Sequence, residues 1–400
     1  MIGLGAGLGG VGLVLLLRFI QHLAYGYSPD LLISSQSFLE GVRGASPLRR
    51  VVVLMICGLF AGCGWWVVYR YSKPIVSIDD AVKSNKPNMP FVSTLANALL
   101  QIITIALGSP LGRELAPREI AASFAIWLSS KARLTTNETH IMLACAAGAG
   151  LAAVYNVPLG GVFFTLEVIL KTFRWRAVLP AILTSVIATG LSWLALGNDI
   201  QYHLPDIEIN TVLVVWSVFM GPIFGFMAYW FGRTITNARI KALHNEWLPV
   251  LCFLNFTFIG ILAIYFPELL GNGKAVVQIG FSSAIGVDIA AILLLLRWII
   301  TWSSLRVGAQ GGVLTPSLAN GALLAVIMGD FWGLIWPGVS QEAYIVIGAT
   351  AFLAAAQKMP LTAIVLIFEF TGIHFDLMLP LLFAVVGSIS VCSLCRQKFG

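Results

Sequence analysis

Long apolar stretches recur along almost the whole chain. They lie near residues 2–24, 50–71, 96–130, 141–170, 177–197, 212–236, 248–266, 286–306, 311–333, 343–371 and 377–395. A helix needs about 20 mostly apolar residues to cross a bilayer. In hydrocarbon every backbone N–H must also find its partner inside the protein. The pattern therefore predicts an all-α, polytopic membrane protein. Composition agrees: 58% of residues are hydrophobic and only 10% are charged, where a soluble domain carries about 25% charged residues. So few charges could not keep a surface in water, which excludes a soluble enzyme and a nucleic-acid partner. The net charge of +6 fits Lys and Arg held on cytoplasmic loops. The first run has no basic leader or cleavage site, so it reads as a retained membrane helix.

Three runs are interrupted. The run 96–130 contains Gly108-Ser109-Pro110-Leu111-Gly112-Arg113-Glu114, 311–333 opens with Gly311-Gly312-Val313-Leu314-Thr315-Pro316, and 343–371 holds Gln357, Lys358 and Pro360. Gly, Pro and charge inside apolar runs predict broken helices lining a cavity. The breaks also repeat. Ala149 to Leu159 matches Ala351 to Leu361, and each copy has a Glu nine residues after its Pro, Glu167 after Pro158 and Glu369 after Pro360. The break at Gly112 pairs with that at Gly311, at nearly the same offset. Two halves are expected, about 1–205 and 206–400, within one transmembrane domain. Such symmetry points to a transport site at the repeat interface.

Glu114 stands in the first break. An ionisable group at membrane depth is a functional candidate, and a new helix start offers unpaired N–H groups to an anion. A carboxylate there can act as a tethered competitor for that anion. An ion pair with Arg113 or Arg118 is the plainer alternative. Glycines 311 and 312 allow close backbone approach to a ligand at the second start.

Gly112-Arg113-Glu114 resembles the Gly-Arg-Glu-Gly-Pro motif of the CLC chloride channel and transporter family, and Gly311 to Pro316 resembles its Gly-x-Phe-x-Pro motif. Gly148 to Gly161, Gly271-Asn272-Gly273 and Ile364 to Glu369 are similar to the segments expected around them. The resemblance runs in order along the chain and is nearest to short bacterial members without cytoplasmic regulatory (CBS-type) domains. It implies two inverted repeats, a homodimer with one pore per subunit, and a place in the bacterial inner membrane. It implies a chloride pathway gated by Glu114 and lined by the backbone of Gly112, Arg113, Glu114, Leu115, Val313 and Leu314. Neutral dipoles of that kind hold an anion without trapping it.

Departures from the pattern set further expectations. Where the family has Gly-Ser-Gly-Ile-Pro, this chain reads Ser72-Lys73-Pro74-Ile75-Val76. Lys73 then falls where the anion-coordinating serine stands; it can bind the anion, pair with Glu114, or point into water. The Glu-Glu pair of proton-coupled members reads Glu167-Val168. Valine cannot relay a proton, which favours channel-like conduction as an electrical shunt, with Glu167 the remaining proton-pathway candidate. Proton-coupled exchange, or selectivity for fluoride or nitrate, are the alternatives within transport. The family's first and last helices look shortened or missing. No nucleophile–base pair suggests an enzyme, and no His or Cys cluster suggests a metal or other cofactor. Cys392-x-x-Cys395 reads as two helix-lining thiols.

Overall fold

The protein is seen in a computed structural model that describes residues 1–26, 37–205, 207, 209–282 and 285–399. Helices account for nearly all regular structure. In the first half they are α1 (Ile2–Tyr25), α2 (Phe38–Gly44), α3 (Pro47–Tyr71), α4 (Ile78–Lys83), α5 (Phe91–Ala106), α6 (Leu115–Lys131), α7 (Thr136–Tyr155), α8 (Pro158–Phe163, continued as a π-turn over Phe164–Ile169) and α9 (Trp175–Leu196). The second half holds α10 (Thr211–Ile240), α11 (Leu248–Tyr265), α12 (Lys274–Gly280), α13 (Val287–Arg306), α14 (Leu314–Gly333), α15 (Gln341–Gln357), α16 (Pro360–Thr371) and α17 (Met378–Phe399). Among the described residues, nine helices are long and apolar enough to cross a membrane. This is a multi-pass membrane protein.

The interrupted runs break where Gly and Pro predict. Residues 96–130 divide into α5 and α6, and 343–371 into α15 and α16. After α5 and after α13 the chain turns through Gly108 (φ 110°) and Gly308 (φ 102°), a region that only glycine enters cheaply. The packing repeats as well. Helix α6 lies on α7 and α7 on α9, as α14 lies on α15 and α15 on α17; α1 and α10 play equivalent parts. Where α3 and α11 meet, Gly58 and Gly62 bring backbone against backbone: a Cβ on Gly62 would lie 2.5 Å from the Pro249 Cα. Small residues at crossings replace hydrophobic drive in a membrane, where lipid is as apolar as leucine.

The halves also exchange caps. Glu167 Oε1 and Oε2 accept from the N–H groups of Leu361 and Thr362 at 2.9 and 2.7 Å, in the first turn of α16. Glu369 Oε1 and Oε2 accept from Leu159 and Gly160 at 2.8 and 2.6 Å, in the first turn of α8. Each carboxylate thus satisfies orphan donors at the helix start of the opposite half. The repeated Pro-Leu…Glu pattern is the sequence trace of this exchange.

Two sides follow from side-chain contacts. On one, Arg49 donates to the carbonyls of Leu23 and Ala24, joining the end of α1 to the start of α3. On the other, Tyr69 of α3 meets His244 edge-on after α10, Arg306 of α13 bonds the Lys241 carbonyl, and Arg233 of α10 bonds the Phe399 carbonyl of α17. Arg70, Lys73, Lys241, Lys358, Arg396 and Lys398 belong to this second side. Cys392 and Cys395 are buried, unbridged thiols of α17.

Candidate functional site

The two Gly-rich corners meet. Gly112 N–H donates to the Gly312 carbonyl at 2.7 Å and Gly312 N–H to the Gly112 carbonyl at 2.8 Å, an isolated antiparallel bridge. From this junction α6 and α14 set out, so two helix starts share one centre. Each carries partial positive charge from unpaired N–H groups.

Glu114 fills that centre. It directly precedes α6, is 1% exposed, and reaches across to the other half. Its Oε1 accepts from the Leu314 N–H at 2.7 Å, and its Oε2 accepts from the Tyr155 hydroxyl at 3.1 Å. The glycines make the seat. A Cβ on Gly312 would stand 1.9 Å from Glu114 Oε1, and one on Gly112 would stand 2.2 Å from Oε2. Any side chain at either position would expel the carboxylate. A charge-assisted bond to a helix-start N–H is what a bound anion would also make. Neither Arg113 nor Arg118 bonds this carboxylate, so the ion-pair alternative does not describe it.

Two hydroxyls line up behind the carboxylate. Tyr155 Oη lies 2.8 Å from Thr315 Oγ1. When the Tyr155 proton is on the Glu114 carboxylate, Thr315 is left to donate to Tyr155. The Arg113 guanidinium lies 5.1 Å from the centre of the Tyr155 ring. Beyond these hydroxyls is a chamber of about 10 Å³ bounded by Tyr155, Tyr202, Lys274, Thr315 and Phe370. It is about the size that admits one water. Past it opens a cavity of about 670 Å³ reached by Arg113, Asn156, Asp199, Gln201 and Lys274. On the other side of the glycines Arg239 donates to the Gly311 carbonyl at 2.9 Å, and Gln310 to the Tyr69 hydroxyl at 3.0 Å.

Of the residues expected at the site, the structure gathers Gly112, Glu114 and Leu314 into direct contact, with Arg113, Leu115 and Val313 as their chain neighbours. Lys73 is exposed in the segment between α3 and α4 and does not bond Glu114, which accepts from Leu314 and Tyr155. Glu167 serves α16 as a cap. Tyr155 and Thr315 escaped the sequence reading because a tyrosine or threonine in an apolar run carries no mark until a partner is known. Arg118 and Glu119 are legible as charges inside the run 96–130.

A model of the family described as "Voltage gated chloride channel" matches residues 37–393. The voltage-gated ClC-type chloride channel ClcB of Citrobacter koseri is 28% identical over 365 residues, 88% of this chain and 86% of that protein. The H(+)/Cl(-) exchange transporter ClcA of Vibrio parahaemolyticus is 26% identical over 361 residues, 86% of this chain and 77% of its own length. Among solved structures, a slow cyanobacterial Cl-/H+ antiporter superposes with a TM-score of 0.85 at 22% identity, covering 99% of this chain and 93% of the other.

Proposed function

The chain belongs to the voltage-gated chloride channel family, and on that premise we propose that it carries chloride, or a similar small monovalent anion, past the paired glycines, with Glu114 as the gate. The observation that carries this reading is the Glu114 carboxylate bonded to the Leu314 N–H at the start of α14. A negative group already rests where an anion would be held, on the donors an anion would use. Protonation removes its charge, weakens that bond and vacates the seat. The dipoles are neutral, so the anion is held but released.

The basic side that includes Lys73, Lys241, Lys358, Arg396 and Lys398 faces the cytoplasm of a bacterial inner membrane in this reading, by the positive-inside rule. Exposed apolar residues such as Leu179, Leu183, Val186, Leu379 and Phe383 on α9 and α17 supply a face for lipid or for a second subunit. A homodimer with a pore in each subunit is the assembly proposed.

Val168 leaves the Glu167 position without a partner acid and favours passive, channel-like flow, an electrical shunt for charge moved elsewhere. One observation favours coupled proton exchange instead. Glu119 is buried at 4% exposure on the basic side of Glu114, with Oε2 held by the amides of Asn97 and Gln101 at 2.9 and 3.0 Å. No hydrogen bond among the described residues engages its Oε1. In this second reading Glu119 is the acid that would carry the proton.

Anion efflux from proteoliposomes, with pH recorded at the same time, tests both readings. Glu114→Ala is expected to give high flux without pH dependence. Lys73→Ser is expected to change flux by no more than about twofold, as for an exposed side chain that does not bond Glu114. A reversal potential that follows a pH gradient at constant chloride selects exchange; one that ignores it selects the channel. Unchanged flux and unchanged pH response in Glu114→Ala would remove Glu114 from the gate.

A further inference from the structure

Groups able to pass a proton lie in series between Glu114 and the large cavity. Tyr155 donates to Glu114 Oε2 at 3.1 Å and stands 2.8 Å from Thr315 Oγ1. Both residues border the chamber of about 10 Å³, which is the size for one water. Among the described residues, Lys274, Gln201 and Asn272 border that chamber and the cavity of about 670 Å³ as well, and of these Lys274 is the one that titrates. Two glycines put it there. Gly271 (φ 76°) and Gly273 (φ 103°) turn the chain just ahead of α12. A Cβ on Gly273 would lie 2.8 Å from the Ala319 Cβ, so the corner presses on α14, the helix that opens with Leu314 and Thr315. The Gly271 N–H donates to the Gly108 carbonyl at 3.0 Å and ties the corner to the chain that leads into Gly112.

The surroundings of Lys274 suit an amine that gives up a proton. Its Nζ donates to Gln201 Oε1 at 3.3 Å and stands 5.9 Å from the centre of the Tyr202 ring. Arg113 and Arg18 oppose its charge, and Asp199 favours it. Of the elements packed on α12, α14 has no charge before Asp330, α15 brings Glu342 at its start, and the turn at Pro267–Leu269 brings Glu268, which is paired with Arg43 at 2.7 Å. Lys274 lies outside the membrane-spanning helices. It opens on the cavity, yet protein encloses it enough for desolvation, and then the Arg113 and Arg18 charges, to lower its pKa to about 7. A proton carrier works best when its pKa lies near the operating pH.

We propose that Lys274 is the proton donor to Glu114 from the cavity side, acting through one water in the chamber and the hydroxyls of Thr315 and Tyr155. The Lys274 ammonium breaks an N–H bond and hands that proton to the water. The water passes one of its own to Thr315 Oγ1, Thr315 passes its proton to Tyr155 Oη, and the Tyr155 proton goes to Glu114 Oε2. Lys274 and Glu114 both end neutral, and each oxygen between them ends with the proton count it began with. Water of the cavity then returns a proton to Lys274. The relay sets how fast Glu114 responds to acid, while its bonds to Tyr155 and Leu314 set where its equilibrium lies. This inference rests on the reading of Glu114 as the gate.

The measurement is the rate at which chloride flux rises after a step to acid pH on the cavity side of the protein in a planar bilayer. In wild type that rate is expected to level off below about pH 7 and to fall about tenfold per pH unit above it, because only the protonated Lys274 donates. Lys274→Arg keeps the positive charge but cannot release a proton. It should slow the rise by about 100-fold at pH 7 and abolish the plateau. A wild-type rate and profile in Lys274→Arg, or a slower rate with the plateau intact, overturns the relay. If that variant fails to fold, Thr315→Val removes the middle hydroxyl and should slow the rise to a similar degree; an unchanged rate there overturns the relay equally. A flux that still follows pH in Glu114→Ala overturns the gate reading, and the relay with it, whereas a pH-insensitive Glu114→Ala beside a fast Lys274→Arg overturns the relay alone.

Discussion

Replacing Tyr155 with phenylalanine removes one atom and tests the gate directly. The Tyr155 hydroxyl donates to Glu114 Oε2 at 3.1 Å, and it is one of two hydrogen bonds that hold the carboxylate. The ring itself would stay packed against Phe370 and below Arg113. A hydrogen bond to a charged group contributes about 1.5–3 kcal/mol net. Losing it should therefore raise the ratio of vacated to seated Glu114 by about 10- to 150-fold, since 1.4 kcal/mol is about a factor of ten. The bond stabilises the seated carboxylate. Without it, release from the seat is easier, and chloride flux at a fixed pH should rise. The measurement is chloride efflux from proteoliposomes as a function of pH, with Glu114→Gln as the fully released reference. Tyr155→Phe in the Glu114→Gln background should add nothing further, because the two act through one equilibrium. Flux that stays unchanged, or falls, would refute the assignment of the seated carboxylate as the closed state.

Two other predictions come from the same geometry. Gly312→Ala places a Cβ 1.9 Å from Glu114 Oε1, so the carboxylate cannot remain seated; flux should lose its pH dependence, read against wild type in the same efflux assay. Glu167→Gln and Glu369→Gln each weaken the cap on a helix start of the other half, and each should lower stability by about 1–2 kcal/mol. The two sites serve separate helices, so the losses should add, as followed by thermal unfolding in detergent, while the pH midpoint of flux stays put. A shifted midpoint in Glu167→Gln alone would return Glu167 to a proton pathway.

The sequence by itself determined the class of fold. Apolar runs near the length of a bilayer, few charges and Gly/Pro interruptions leave broken helices in a membrane as the physical solution, and the paired breaks at Gly112 and Gly311 announce two related halves. Glu114 was legible for the same reason: a carboxylate in such a run is expensive unless something receives it. Tertiary structure alone decided what receives it. The Leu314 N–H and Tyr155 hydroxyl lie 200 and 41 residues away in the chain, and no periodicity links them to Glu114. It also decided the fate of charges that the sequence could only locate. Lys73, aligned with a pore position, is exposed and does not bond Glu114, while Arg239 is carried to the Gly311 carbonyl by the full length of α10. Helix identity is written in local hydrophobicity, which the chain carries residue by residue. The partner of a polar group depends on where two distant helix starts are brought together, and only packing settles that.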